Sequence, residues 1–498
     1  MERNLVVCCD GTGNIWGGGG TSNVVLLVQA LEKTAGQLVF YDPGVGTASE
    51  LPSIAPWERV KAAARRLWGM AFGDGIYENI VQAYLFLMQH YRPGDRIYVF
   101  GFSRGAFTAR CVAGMVNLFG VIRSGGEPML SSMVRLYFSD LDATNSAGKT
   151  RKELAEQLRV NFALEGRDAR VHFVGVWDTV ESVGGLRSRS ITSRATVKGK
   201  AFDHVRQALA LDVTRAAYQP RLYDEPDFDT GAQSLQQRWF TGAHCDVGGS
   251  YPAHGLSDGA LLWILQQARA KGLLVAQAAL DAIRPDPLAL AHDEPFSRPL
   301  WALVGLRRRS LPPGALLDLS VAQRAAAGQA GHSVYRPLWR CGDFWTLLLA
   351  CAALCLGYWT VLGSCATGWD PNPCAADSRA LRTATLIDFG LMLAYVGLFC
   401  RLIVHAWRQL YAVVPARHVG LLQAVAQWPL LALIGFDLAE NLLTFGWLRA
   451  CERANPHCER WHQALDLATA LKFGALALLL AFLLAGTLTF LLRPRHKA

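Results

Sequence analysis

The sequence predicts an α/β domain, a mostly parallel sheet with helices on both faces, followed by an all-α bundle of transmembrane helices. Three observations carry this. Short apolar runs alternate with helically spaced stretches through residues 1–280. Long, nearly uncharged apolar runs fill residues 344–492. A serine framed by glycines stands where a strand pattern gives way to a helix pattern, at Gly101-Phe102-Ser103-Arg104-Gly105.

The elements follow in order. Leu5–Cys9 is a short apolar run bounded by Asp-Gly-Thr-Gly-Asn, the pattern of a buried strand ending in a turn. Val24–Leu31 is predicted as helix and Leu38–Tyr41 as a second strand, closed by Asp42-Pro43-Gly44. Ile76, Ile80, Val81, Tyr84, Leu87 and Met88 recur at helical spacing until Arg92-Pro93-Gly94-Asp95 stops them. Arg96–Phe100 is a strand and Ala106–Phe119 a helix. Arg170–Val176 is a strand running into Trp177-Asp178. Residues 203–214 are predicted as helix. Arg238–Thr241 is a strand leading to Gly242-Ala243-His244, and Ser257–Lys271 is a helix capped by Gly272. Strands alternating with helices imply parallel pairing with both faces covered.

The chain has 498 residues, 51% of them hydrophobic, more than one ordinary domain needs and more apolar than most soluble enzymes. The excess lies in the C-terminal part. The expected organisation is a catalytic domain over residues 1–280, a Pro- and Arg-rich, partly irregular linker over 281–343, a transmembrane region of about four helices over 344–492, and a basic tail over 493–498. Phe344–Gly363 and Phe473–Leu492 carry no charge; Ala384–Val404 carries only Asp388 and Arg401; a further span falls within Leu421–Leu448. Asp437, Glu440 and Asn441 in that stretch point to a pathway or an inter-helix contact if buried, and an interfacial position is the simpler reading.

The net charge of +9 excludes little by itself. The basic residues show none of the clustering with aromatics that nucleic-acid binding would produce, so no nucleic-acid partner is expected. They sit at Arg187, Arg189, Arg194, Lys198 and Lys200, at Arg307-Arg308-Arg309, and beside the membrane segments. These read as solvated surface and topology signals; the loop 187–200 either meets anionic head groups or is simply solvated. Basic loops before the first span, at Arg408–His418 and in the tail place both termini in the cytoplasm. The opposite loops hold the pairs Cys365/Cys374 and Cys451/Cys458, candidates for disulfides in an oxidising compartment. Leu5–Cys9 is too short for a signal peptide, so no secretory address is expected. Cys8, Cys9, Cys111 and Cys245 show no metal-ligand spacing and read as buried thiols.

Gly101–Gly105 matches G-x-S-x-G between a strand and a helix, the context of a nucleophile elbow. That makes the expected fold α/β-hydrolase-like. The turn lifts Ser103 above the sheet at a helix N-terminus, where developing negative charge is favoured. A serine hydroxyl needs a base, and His244, just past a strand end, is the candidate. The imidazole needs an acid, and Asp178 closes a strand in the position this fold uses; Asp246 is the alternative acid, two residues from His244. The order Ser…Asp…His fits the α/β-hydrolase order. Oxyanion-hole amides are expected at Arg104 and at Gly11 and Thr12 in the early glycine turn; a phosphate-cradling role for that turn is disfavoured because no G-K-[ST] follows. Asp178→Asn is expected to lose turnover with the fold intact. No metal or cofactor is required for this chemistry.

The motifs C-D-G-T-G-N, G-F-S-R-G-A-F-T-A-R, G-V-W-D-T-V and G-A-H-C-D-V-G-G-S-Y, followed by G-L-S-D-G-A-L-L-W-I-L, resemble the catalytic domain of the type VI secretion phospholipase effectors, class one. The resemblance spans roughly residues 3–275. It implies lipase or phospholipase chemistry on a lipid or phospholipid substrate, with the triad carried onto Ser103, Asp178 and His244. The C-terminal membrane helices depart from a typical effector. Two other expectations stand beside a membrane-anchored serine esterase: a membrane interaction or transport component with a regulatory or inactive hydrolase-fold domain, and a secreted antibacterial lipase toxin. The oligomeric state is not readable.

Overall fold

The computed structural model describes residues 2–11, 20–44, 74–139, 148–164, 169–180, 196–328, 342–363, 378–411, 413–414, 418–452 and 458–491. Thr12, Arg187, Arg189, Arg194, Cys365 and Cys374 lie outside these residues, as do the side chains of Cys451 and Cys458. The chain divides into two units. One comprises Met1–Val213, Ala217–His292 and Arg309–Val334; the other comprises Thr214–Ala216, Asp293–Arg308 and Tyr335–Ala498.

In the first unit the elements run β1 (Asn4–Cys9), α1 (Asn23–Ala30), β2 (Gln37–Asp42), α2 (Asp74–His90), β3 (Arg96–Phe102), α3 (Arg104–Phe119), α4 (Leu130–Tyr137), α5 (Arg151–Phe162), β4 (Val171–Trp177), β5 (Phe202–Ala210), β6 (Phe228–Asp229), β7 (Ser234–Phe240), α6 (His244–Gly248), α7 (Gly255–Arg269) and α8 (Gln277–Ala282). After α9 (Glu294–Ser297) of the second unit, β8 (Leu316–Leu317) and α10 (Leu319–Ala326) return to the first. The sheet has eight strands in the order β2-β1-β3-β4-β5-β7-β6, with β8 pairing β7. The pairings between these strands are parallel except β6 with β7.

Alternation along the strands builds two cores. Leu5, Val7, Cys9, Ile97 and Val99 face the layer containing α2 and α3. Val6, Cys8, Tyr98, Phe100 and Phe102 face the layer containing α1 and α7. A sheet covered on both faces needs apolar residues at every rung of its central strands, which is why Leu5–Cys9 reads as one continuous apolar run. Cys8, Cys9 and Cys111 are buried free thiols, whereas Cys245 is half-buried.

One expectation is overturned here. Residues 203–214, predicted as helix, form the strand β5 over Phe202–Ala210, hydrogen-bonded to β4 on one side and β7 on the other. A short apolar segment buried on both faces has no period that separates strand from helix, and the pairing partners decide. The polar side chains of the strand are satisfied internally: His204 meets Ser234 Oγ at 2.9 Å and Arg206 Nε donates to Gln267 at 2.7 Å.

The strand order also locates a crevice. From β1 the chain goes to β2 on one side and then to β3 on the other, so the direction of winding reverses between β1 and β3. In open parallel sheets the carboxyl ends of the strands at such a reversal are where ligands bind. Those ends are Asp10-Gly11 and Ser103.

The second unit contains α11 (Gly342–Gly363), α12 (Ser378–Tyr411), α13 (Val419–Glu452) and α14 (Cys458–Leu491). Among the described residues, three helical stretches are long and apolar enough to cross a membrane: Arg382–Tyr411, Val419–Arg449 and Gln463–Thr489; Gly342–Tyr358 is a shorter apolar stretch. Two polar residues of α13 are turned inward. Asp437 has no exposed surface and Asn441 is buried. Spaced three and four residues apart, Asp437, Glu440 and Asn441 share one side of the helix. Tyr395 of α12 donates to Asp437 at 2.5 Å, and Lys472 of α14 pairs with Asp437 and, at 2.7 Å, with Glu440. This is the inter-helix contact that burial of the stretch implies, since an unpaired carboxylate among apolar helices is costly.

Candidate active site

The register of the sheet assembles the site. Phe102 of β3 is level with Trp177 of β4, and Trp177 with Ala208 of β5. The next residues, Ser103 and Asp178, therefore leave the sheet at adjacent strand ends. Each is tied to the neighbouring strand: Ser103 N–H donates to Trp177 O at 3.0 Å and Asp178 N–H to Ala208 O at 2.7 Å. Beyond β7, His244 opens the short helix α6.

Ser103 occupies a strained backbone position, φ 58° and ψ −123°, immediately before α3. Non-glycine residues rarely adopt it, and it persists only where the surroundings enforce it. The flanking glycines are part of that enforcement. A Cβ at Gly101 would stand 2.4 Å from Gly105 O, and one at Gly105 would stand 2.2 Å from Cys9 O. No side chain fits either place.

His244 lies between Ser103 and Asp178. Its Nδ1 is 2.5 Å from Asp178 Oδ2 and its Nε2 is 2.8 Å from Ser103 Oγ. A carboxylate only accepts, so Nδ1 carries the ring proton and donates it; Nε2 is then left to accept from the serine hydroxyl. Phe102 and Tyr218 flank the ring, with centroids 4.7 and 5.0 Å away. Ser103 is 8% exposed, His244 3% and Asp178 0%.

Asp178 itself has a positive φ of 41° and a full set of donors. Besides His244, it accepts from Ala210 N–H at 2.9 Å and from both terminal nitrogens of Arg309, at 2.5 Å to Oδ1 and 2.9 Å to Oδ2. Burial alone would raise the Asp178 carboxyl, but the Arg309 charge and the bonds from His244 and Arg309 hold it well below the usual carboxylate range.

Asp246, the alternative acid, faces elsewhere. It accepts from Ala243 N–H at 2.9 Å, from His292 N–H at 2.8 Å and from the His292 ring at 2.7 Å. Of the expected oxyanion donors, Arg104 is the first residue of α3, at the helix N-terminus. The Gly11 amide donates to its neighbour's carboxylate, Asp10 Oδ1, at 2.6 Å. Asp10 is buried and also accepts from Ser22 and Tyr41.

Arg309 is the residue the sequence reading missed. The run Arg307-Arg308-Arg309 looks like solvated surface, yet the Arg309 side chain has no exposed area. Nothing local distinguishes it: its partner Asp178 is 131 residues away. Lys198 and Lys200, the described end of the basic loop, are engaged: Lys198 lies over the Phe228 ring at 4.8 Å, and Lys200 O accepts from Gln233 at 2.9 Å.

Comparison with known proteins places the site in a family. Strands β1 to β7, helices α1 to α6 and all three residues of the hydrogen-bonded chain Ser103–His244–Asp178 fall within residues 3–267, which match the family model described as T6SS, Phospholipase effector Tle1-like, catalytic domain. An uncharacterized protein of Saccharomyces cerevisiae, YEL023C, is 33% identical over 220 residues, 43% of this chain and 32% of that one. The chain thus spans about a third of the length of that curated relative. No solved structure matches. With more than half of its 498 residues matched, the chain belongs to the T6SS Tle1-like phospholipase effector family through its catalytic domain.

Proposed function

We propose that this protein is a membrane-anchored serine hydrolase that cleaves carboxylic ester bonds of lipids or phospholipids. The observation that carries the reading is the unbroken chain Ser103 Oγ–His244 Nε2 and His244 Nδ1–Asp178 Oδ2, at 2.8 and 2.5 Å, on a strained elbow. In this reading His244 removes the Ser103 proton as Oγ attacks the ester carbonyl. The negative oxygen is met by the Arg104 amide at the head of α3; the Gly11 amide, expected as a second donor, is committed to Asp10 Oδ1. His244 then returns the proton to the departing alcohol, leaving an acyl-serine. Water, deprotonated by the same imidazole, attacks the acyl carbon, and Ser103 recovers its proton as the fatty acid leaves. Asp178 fixes the tautomer and stabilises the imidazolium throughout.

The apolar C-terminal helices support anchoring beside a lipid substrate, and the Lys/Arg bias supports both termini in the cytoplasm. We place it in a bacterial inner membrane, a reading that draws on the T6SS description for the bacterial host and on the apolar helices for the membrane. A second reading, a membrane interaction or transport component with an inactive hydrolase fold, draws on the Asp437–Lys472–Glu440 cluster within the bundle. The test is fluorophosphonate labelling of the full chain in detergent, beside turnover of a panel of lipid classes. Labelling and turnover that vanish together in Ser103→Ala support the hydrolase. A well-folded protein that neither labels nor turns over any lipid supports the second reading.

A further inference from the structure

The Arg309 guanidinium uses every donor it has. Nε donates to Tyr218 O at 3.2 Å; Nη1 donates to Asp178 Oδ1 at 2.5 Å and Ala210 O at 2.6 Å; Nη2 donates to Asp178 Oδ2 at 2.9 Å and Tyr218 O at 2.6 Å. Five N–H groups and five bonds leave the planar fork no freedom. It therefore fixes the Asp178 carboxylate in rotation as well as position. It also fixes the backbone at Tyr218, whose ring stands against the His244 imidazole. Both Arg309 and Asp178 have completely buried side chains, so their charges act on each other and on His244 with little screening. Arg309 lies beyond residues 3–267, the stretch that matches the family's catalytic domain.

We propose that Arg309 is a positioning residue of the hydrolytic reaction, one that aims Asp178 at His244 Nδ1 and sets the pH at which His244 protonates. The inference rests on the serine-hydrolase reading above. Two consequences oppose each other and are separable. The fork holds the acid in the geometry the imidazolium needs, which raises turnover. Its positive charge takes up part of the negative potential Asp178 would otherwise exert on the ring, which keeps His244 unprotonated, and so able to act as a base, to lower pH.

Two substitutions tell these apart. Arg309→Lys retains the charge and loses the fork; Arg309→Gln loses the charge. In the full chain, both are expected to lower kcat by about 10- to 100-fold, the usual scale for removing a group that orients a catalytic ligand, with KM little changed. Only Arg309→Gln is expected to move the acidic limb of the kcat/KM profile, upward by about one pH unit. The pH dependence of the fluorophosphonate labelling rate at Ser103 should move with it. Thermal melting of each variant shows whether it is folded. Should Arg309→Gln fail to fold, the Lys variant still decides: a folded Arg309→Lys protein with unchanged kcat overturns the proposal. A loss of kcat in a folded Gln variant with both pH profiles unmoved also overturns it, leaving Arg309 a structural residue. Absence of any Ser103-dependent labelling in the wild type sinks the hydrolase reading itself, a different result from wild-type labelling that is indifferent to position 309.

Discussion

The carboxylate of Asp246 is bound by His292, through the ring at 2.7 Å and through the backbone amide at 2.8 Å. Two residues from His244, it is nonetheless committed to the loop that carries His244. The two aspartates should therefore separate cleanly. Asp178→Asn is expected to cut kcat by about 10⁴-fold, and Asp246→Asn by far less, with a stability loss of about 1–2 kcal/mol. Steady-state turnover of both variants is the measurement, and a more damaging Asp246→Asn would reverse the assignment of the acid.

Asp178→Asn should also carry a stability cost, because Asp178 is the buried partner of Arg309. Its removal strands the Arg309 charge in the interior, at a cost of about 3–5 kcal/mol. Adding Arg309→Met should restore much of the melting temperature and none of the turnover. If the double variant melts no higher than Asp178→Asn alone, the stability of this region does not depend on the pair.

Acid should weaken the wild type in a particular way. Because the folded Asp178 carboxyl is held below its ordinary value, its contribution to stability is complete above the unfolded pKa of about 3.9 and is lost as pH falls through that range and below. Protonation favours the unfolded chain here, so stability falls with falling pH. Melting temperatures measured from neutral to acidic pH should drop more steeply for the wild type than for Asp178→Asn/Arg309→Met. Parallel curves would be the contrary result.

At the elbow, Gly105→Ala places a methyl group 2.2 Å from the Cys9 carbonyl, which belongs to β1 and has no room to retreat. Overpacking against backbone should cost about 3 kcal/mol or more, together with Ser103 labelling. Retained labelling at wild-type melting temperature would mean that β1 and α3 separate more easily than their contacts suggest.

In the bundle, Lys472→Met leaves Asp437 and Glu440 without their counter-charge. A destabilisation of about 3–5 kcal/mol is expected, read as a lower melting temperature in detergent, and partly reversed by adding Asp437→Asn. An unchanged melting temperature for Lys472→Met would mean the cluster contributes nothing to helix association.

What was legible in the sequence was whatever a strand end announces. Ser103, Asp178 and His244 each stand just after an apolar run, and glycines mark the close approaches at 101 and 105. The parallel, doubly covered sheet followed from the alternation of patterns, and the long apolar C-terminal helices from their composition. What escaped was decided by distant partners. The central strand β5 looks helical until β4 and β7 pair with it. Asp437 and Lys472, on different helices, find each other only once the bundle forms. Arg309 is one of three consecutive arginines, and only the folded chain shows which of them faces inward.

The position of Arg309 has a practical corollary for where the catalytic unit can be cut. A cut near residue 280 keeps every recognisable motif, yet it deletes the cation that balances Asp178 and the strand β8 that extends the sheet beyond β7. Such a fragment would carry an unneutralised carboxylate at the base of its proton relay. On the hydrolase reading, the smallest autonomous version is therefore longer than its signature, and it reaches at least through β8 at Leu317.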